Sequence, residues 1–262
     1  PGSTMKPFTV AAGLESGKLL GNEVYECNGS LTIVEGEKPI KCHNVYGDGP
    51  TTISQAIEKS CNVALMKMGQ TIGTETMLKY MQDFNFGLKT NIDLAGEART
   101  ASLVFTEDTM GPTELATTTF GQGFNVTMIQ MIAGFCSLIN GGYYYEPHMV
   151  SEITASDGSV VQNIEPRLLK QTVSEETSAK IRDYCLQVVI GEDGTGPTAR
   201  PAGYLIGGKT GTSEKLGAND SDWKILSFVG FAPADDPQIA VLVMLDEPKL
   251  DDPYGSTIAA PI

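Results

Sequence analysis

Apolar residues recur along this chain with helical spacing in some stretches and as short unbroken or alternating runs in others, and the changes between the two predict its elements. Phe8, Ala12 and Leu19 fit one helical face, so a helix is expected over residues 1 to about 20, closing at Gly21. Residues 22–50 are rich in turn formers, with short strands expected around Leu31-Thr32-Ile33-Val34. From 51 to 140 the spacing is mainly helical. Ile53, Ile57, Cys61, Ala64, Leu65 and Met68 make one stripe, and Met77, Leu78, Met81 and Phe84 a second. Ile129, Ile132, Ala133, Cys136 and Ile139 make a third, ended by Asn140-Gly141-Gly142. The methionines in these stripes read as core filling. Residues 143–172 hold strand pieces around an Asp157-Gly158 turn. Ser174 then caps a helix with Ile181, Tyr184, Cys185, Val188 and Val189 on one face, ended by Gly191. Three strands follow, near 204–211, 225–232 and 238–245. Ala234-Asp235-Asp236-Pro237 is a turn signal that should join the last two as an antiparallel hairpin, and Ile239 to Leu245 reads as a buried strand. The expected class is α+β, with a helical lobe over about 51–140 beside a sheet-bearing lobe made of 1–50 and 141–262.

Charge and composition narrow the function. Eighteen Lys and Arg against 32 Asp and Glu give a net charge of −14, which argues against a nucleic-acid partner, because phosphate binding needs a basic face. No apolar run approaches the roughly 20 residues of a membrane helix, and no signal peptide is visible. The two histidines, His43 and His148, lie outside any G-x-S-x-G or H-E-x-x-H context and read as surface or loop residues. A histidine-based triad, a metal centre and a cofactor are therefore not expected.

Three short motifs carry the candidate chemistry. In Ser3-Thr4-Met5-Lys6 the hydroxyl and the amine stand three residues apart, on one face of a helix. A serine becomes a useful nucleophile when a neighbouring base takes its proton. Lysine can be that base if burial or a second cation lowers its pKa, and Lys209 is the candidate second cation. Pro7 suits a first helical turn, whose free N–H groups and positive dipole end would lie beside Ser3. In Ser60-Cys61-Asn62, Ser60 can relay a proton and Asn62 can hold a substrate amide. Lys209-Thr210-Gly211-Thr212 follows the apolar run Tyr204-Leu205-Ile206-Gly207-Gly208, which reads as a strand along which a peptide could add. There Lys209, Thr210 and Thr212 would supply a cation and hydroxyls for a terminal carboxylate, and the backbone N–H groups of Ser3 and Thr212 an oxyanion hole. Gly203 to Thr210 also satisfies the phosphate-loop spacing. That reading fails on context, since Arg200-Pro201-Ala202 is poor strand material and Gly217-Ala218-Asn219-Asp220 poor helix material.

In this order the three motifs are the serine–lysine set of penicillin-binding proteins and class A β-lactamases. The chain resembles the transpeptidase domain of a class B, monofunctional penicillin-binding protein, of division or sporulation type. Further matching stretches are Pro1 to Thr9, Asn91 to Glu97, Phe120-Gly121-Gln122-Gly123, Val126 to Gln130 and Ser227 to Pro233. The resemblance implies a penicillin-binding protein/serine β-lactamase-like fold, an antiparallel sheet flanked by helices plus an all-helical lobe, in a single trimmed domain over 1–262, truncated at both ends. It implies D,D-transpeptidation: Ser3 attacks the D-Ala-D-Ala bond of a peptidoglycan stem peptide, the last D-Ala leaves, and an amine of a neighbouring strand takes the acyl group. β-Lactam antibiotics would acylate the same serine. Expected partners are stem peptides, β-lactams and membrane proteins of division or sporulation. The expected location is the extracytoplasmic face of the bacterial membrane, anchored by an upstream segment. Ser3, Lys6, Ser60, Asn62 and Lys209 are the expected catalytic set, with Thr210, Gly211 and Thr212 binding substrate.

Two other classes share these motifs. A class A lactamase would need a deacylating glutamate in an E-x-x-x-N-type loop, and residues 85–125 contain none. A β-lactam sensor or scaffold with weak turnover would keep the same residues. The lifetime of the acyl-enzyme separates the readings. Of five cysteines, Cys61, Cys136 and Cys185 fall on apolar stripes and read as buried thiols. Cys27 and Cys42 flank a hairpin-like excursion, and a protein outside the cytoplasm can keep a disulfide. A Cys27–Cys42 bridge, stabilising by up to roughly 3 kcal/mol, is set against two unpaired thiols in a flexible loop.

Overall fold

The structure, a computed structural model, describes residues 1–215, 223–250 and 253–262. A tight 3₁₀ turn at Gly2–Met5 runs straight into helix α1 (Lys6–Glu15), with Pro7 in its first turn. Every residue from Lys6 to Gly13 is buried, so α1 is the central rod of the molecule rather than a surface helix. It ends at Glu15, earlier than Gly21, because the chain turns at Ser16 and Gly17 and Leu19 folds back over Gly13.

An irregular excursion follows, built from two small antiparallel ladders. Strand β1 (Val24–Cys27) pairs with β4 (Gly49–Thr52), and β2 (Ser30–Leu31) with β3 (Ile40–Lys41). Thr52 and Gln55 form a reciprocal capping box that starts α2 (Ile53–Glu58). The expected continuous stripe from Ile53 to Met68 is broken here. The chain turns at Ser60, which has φ of 59°, and restarts as α3 (Asn62–Ile72). All six stripe residues are nonetheless buried, so both helices present their apolar side to one core.

Helices α4 (Thr74–Asp83), α5 (Pro112–Thr119) and α6 (Met128–Ile139) complete the helical part. In α6 the buried face departs from the expected one except at Ile139, which is buried. Met131, Phe135 and Leu138 are buried with Gln130, while Ile129, Ile132, Ala133 and Cys136 are half-buried. The helix is apolar around most of its circumference, so periodicity alone cannot pick its inner face. Gln130 is drawn inward because it bonds Thr100 and the Leu88 carbonyl as well as capping its own helix. Phe8 of α1 fills the junction, edge-on to Phe84 and Phe86 at 5.0 Å each and to Phe135 at 6.2 Å.

Strands β5 (Tyr143–Tyr145) and β8 (Leu168–Gln171) pair, as do β6 (Glu152–Thr154) and β7 (Val160–Asn163) around the Asp157-Gly158 turn. Helix α7 (Glu175–Ile190) starts and stops where its cap residues predict, at Ser174 and Gly191. It packs against α1, α2, α6 and the main sheet, and so joins the helices to the strands. That sheet is antiparallel, ordered β11-β10-β9, from β9 (Gly207–Glu214), β10 (Lys224–Ala232) and β11 (Ile239–Asp246). Tyr204, Leu205 and Ile206 precede β9 instead of belonging to it. Strand β11 is also less buried than its composition suggests. Ile239 and Val241 stand exposed at its outer side, while Ala240 and Leu242 pack on the core. Residues 217–220 of the phosphate-loop argument lie outside the described residues, but Gly208-Lys209-Thr210 lie within a strand, not a loop opening a helix.

Candidate active site

Three chain segments converge at the start of α1. The 3₁₀ turn carries Ser3, the α2–α3 junction carries Ser60 and Asn62, and β9 carries Lys209. The turn is fixed on both sides. Gly2 N–H donates to the Gly121 carbonyl at 2.9 Å, and Thr4 Oγ1 donates to the Pro1 carbonyl at 2.8 Å. Gly121, at φ of 85°, approaches so closely that a Cβ there would lie 1.9 Å from the Gly2 oxygen. On the sheet side, a Cβ on Gly211 would meet Ser227 Oγ at 2.3 Å and Thr4 Cγ2 at 3.0 Å. Glycine at 211 is what lets β9 lie against the nucleophile turn.

Lys6 is completely buried, and its ammonium has three acceptors: Ser60 O at 2.5 Å, Asn62 Oδ1 at 2.7 Å and Ser60 Oγ at 3.0 Å. Lys209 is completely buried too. Its Nζ donates to Ser60 Oγ at 3.1 Å, to the Thr210 carbonyl at 3.1 Å and to Thr210 Oγ1 at 3.3 Å. One hydroxyl, Ser60 Oγ, thus accepts from both lysines. It reaches that position because of the left-handed turn at residue 60, a conformation a serine adopts only when the surroundings hold it there.

Burial lowers the Lys6 pKa to about 8, with Cys42, Cys61 and Asp48 pulling it back up. Lys209 is lowered well below the ordinary lysine value, first by burial and then by the charge of Lys6. Of the two expected causes, burial is thus the leading one at Lys6, and the like charge of its neighbour adds to the lowering at Lys209. Two ammonium groups around one hydroxyl repel each other, so near neutrality the pair readily gives up a proton. Ser3 is half-buried, and among the described residues its hydroxyl has no hydrogen-bond partner. The Lys6 backbone N–H donates to the Ser3 carbonyl, which holds the two residues on consecutive turns of one helical run.

The third motif divides its labour differently from the expectation. Thr210 is buried, and its hydroxyl contacts Thr195 Oγ1 at 2.9 Å. Thr212 Oγ1 accepts from Gly255 N–H at 3.2 Å and keeps its own proton to donate. Thr195, in the glycine-rich turn after α7, was not singled out from the sequence, and nothing there beyond Gly191 to Gly196 marks it. Gly121 is visible in the sequence only as part of the Phe120 to Gly123 stretch. Cys42 and Asp48 also gain a place beside the site. Cys42 Sγ accepts from Asn62 N–H at 3.3 Å. The Cys27–Cys42 bridge is not formed: both are unbonded, buried thiols. Cys61 is buried as expected, but as the N-cap of α3, its sulfur accepting from Ala64 N–H at 3.4 Å. A cavity of about 300 Å³ opens beside the turn, between Thr4, Gly123, Met131, Ser227 and Leu242, and contains neither Ser3 nor Lys209.

A serine placed one turn before a buried lysine, with a second serine shared by two lysines, is the constellation of a serine–lysine acyl-transferase on an α+β frame. The chain belongs to the penicillin-binding protein transpeptidase family, whose profile, "Penicillin binding protein transpeptidase domain", matches residues 1–262. It is 42% identical over 266 residues to stage V sporulation protein D of Bacillus subtilis, a match covering all of this chain and 40% of that protein. It is 28% identical to the probable peptidoglycan D,D-transpeptidase PenA of Neisseria meningitidis, over all of this chain and 42% of that one. Among solved structures it superimposes on penicillin-binding protein 3 of Mycobacterium tuberculosis complexed with aztreonam, with a TM-score of 0.88 and 30% identity, over all of this chain and 59% of that one. The chain thus spans about two-fifths of the length of the curated relatives it matches.

Proposed function

We propose that this domain is a serine D,D-transpeptidase that cross-links peptidoglycan stem peptides and is acylated by β-lactams at the same residue. The observation that carries the reading is Ser60 Oγ bonded to Lys6 and Lys209 at 3.0 and 3.1 Å, with an unengaged Ser3 one helical turn before Lys6. When a substrate carboxylate docks near Lys209, its negative charge favours the protonated form of that lysine. The proton that Lys209 takes up passes through Ser60 from Lys6, which is left as a free amine. Lys6 then takes the Ser3 proton as the Ser3 oxygen attacks the D-Ala carbonyl carbon. The backbone N–H groups of Ser3 and Thr212 receive the developing oxyanion. As the C–N bond breaks, the leaving D-Ala amine takes its proton from Lys6 by way of Ser60. An incoming amine reverses these steps on the Ser3 ester and forms the cross-link. Asn62 offers its amide to the stem-peptide backbone while its Oδ1 holds Lys6.

The sporulation name of the relative at 42% identity supports a role in division or sporulation, with membrane proteins of that machinery as partners. Among the described residues no helix is long and apolar enough to cross a membrane. We place the domain on the outer face of the membrane, held by a segment elsewhere in its protein. The test is transfer. Given a D-Ala-D-Ala peptide and a labelled D-amino acid, the protein should release D-Ala and yield labelled peptide in equal amounts. Release of D-Ala with no transfer product would make it a carboxypeptidase, and neither product would remove the catalytic reading.

A further inference from the structure

The excursion between β1 and α2 folds four metal-ligand side chains into one cage behind the active site. Cys27 ends β1, Cys42 follows β3, Asp48 precedes β4 and Cys61 caps α3. One ligand atom from each lies within 4.8 Å of all the others. Two edges of the cage are measured directly: Cys42 Sγ to Cys61 Sγ and Cys42 Sγ to Asp48 Oδ2, both 3.9 Å. A tetrahedral ion with metal–sulfur bonds of about 2.3 Å needs sulfur–sulfur edges of about 3.8 Å. The same sulfurs are much too far apart for a covalent bond of about 2.05 Å.

The surroundings are built for bound thiolates. The first turn of α3 sends two backbone N–H groups to sulfur, Asn62 N–H to Cys42 and Ala64 N–H to Cys61. Such donors stabilise negative sulfur. Asp48 is oriented from outside the cage, since its Oδ1 accepts from Asn44 Nδ2 at 3.0 Å and leaves Oδ2 facing the sulfurs. The three cysteines are almost fully buried, and the half-buried aspartate closes the cage on the solvent side. Two glycines let the segments cross tightly enough to build it. A Cβ on Gly29 would lie 2.1 Å from the Val45 carbonyl oxygen, and one on Gly47 2.2 Å from that of Cys27.

We propose that Cys27, Cys42, Cys61 and Asp48 bind one tetrahedral, thiolate-preferring divalent cation, of which zinc is the physiological example. Three cysteines and a carboxylate suit zinc better than the harder calcium or magnesium, which take oxygen ligands in larger number. Binding releases one proton from each of the three thiols, while the aspartate enters as its carboxylate. The ion would tie residues 24–52 to the first turn of α3, and so to the backbone of Ser60 and Asn62, on either side of Cys61. Its role is positional: it holds the second motif in place and touches no substrate. The sequence hides the site because the ligands span 35 positions with no paired-cysteine spacing and no histidine among them.

The test uses the full chain, prepared reduced and free of oxygen, loaded with zinc and desalted. Elemental analysis should find one zinc per chain, and cobalt(II) in its place should give thiolate charge-transfer bands with the intense visible bands of a tetrahedral ion. Asp48→Asn should weaken cobalt binding at least about tenfold and alter those bands. Cys27→Ser should do the same, while Cys185→Ser, on α7 outside the cage, should change neither. Chelation should lower the melting temperature, and zinc should restore it. Reduced protein that retains no zinc, an octahedral cobalt spectrum, or binding indifferent to both Asp48→Asn and Cys27→Ser would each overturn the proposal. Asp48→Asn keeps the wild-type shape and charges no buried group, so the test survives if the cysteine variant fails to fold.

Discussion

Asn62 offers a quantitative test of how Lys6 is tuned. Its Oδ1 accepts from the Lys6 ammonium at 2.7 Å, a charge-assisted bond that favours the protonated lysine. Asn62→Leu removes that acceptor and keeps the side-chain branching, so that water does not enter in its place. A hydrogen bond to a charged group contributes roughly 1.5–3 kcal/mol, and one pKa unit corresponds to about 1.4 kcal/mol. Lys6 retains Ser60 O and Ser60 Oγ as acceptors, so the low end applies, about one unit. The wild-type pKa of about 8, against the ordinary 10.5 of lysine, already leaves roughly 300-fold more free amine at neutral pH than an exposed lysine would have. The assay is the second-order rate constant for acylation by benzylpenicillin as a function of pH. Acylation needs the free amine, so the rate should rise with pH and level off above the Lys6 pKa. In Asn62→Leu the plateau should fall, because a substrate contact is lost, but the midpoint should move down from about 8 to about 7. A midpoint that stays in place or moves up would refute the assignment of Lys6 as the titrating base held by Asn62.

Three other outcomes are expected. Lys209→Gln should slow acylation by carboxylate-bearing β-lactams about 10- to 100-fold with little change in thermal unfolding, and equal acylation of variant and parent would remove Lys209 from the site. Phe8→Ala should cost about 3–5 kcal/mol in urea unfolding, because three aromatic rings close on Phe8 and cannot collapse together, and a loss under about 1 kcal/mol would contradict that packing. Burial raises the Glu15 carboxyl, but bonds from Thr177 and Ser174 outweigh it and the net shift is downward. The stability this contact adds is therefore complete above the ordinary glutamate value of 4.5 and is lost as pH falls through the lowered one, so Glu15→Gln should flatten the acid limb of the stability curve; an unchanged limb would rule the contact out.

What the sequence conceals follows from where the information lies. Helix α7 is legible to the residue because Ser174 and Gly191 mark its ends locally. The break at Ser60 is not, since neither glycine nor proline announces it. The left-handed turn there is stabilised by Lys6 and Lys209, which are 54 and 149 positions away. The inner face of α6 is hidden for a different reason. Its apolar residues surround the helix, and a polar residue, Gln130, faces in because distant groups satisfy it. The exposure of Ile239 and Val241 on β11 could not be read either, because an apolar run says that a strand is buried somewhere without saying on which side. The motifs themselves are legible because the chemistry dictates their residue types. What the fold adds is the shared hydroxyl of Ser60 and the complete burial of both lysines. It also adds a second role for Cys61, which is a helix cap beside two other thiols as well as a piece of the core.

The most direct test of the central claim is intact mass spectrometry of the protein with benzylpenicillin, followed over hours and completed by peptide mapping. One penicilloyl group per chain is expected, on Ser3, persisting for hours. Ser3→Ala should carry none while unfolding at nearly the same temperature. An adduct on any other residue, or one that still forms on Ser3→Ala, would contradict the assignment of the nucleophile; loss of the adduct within seconds would contradict the transpeptidase reading in favour of a lactamase.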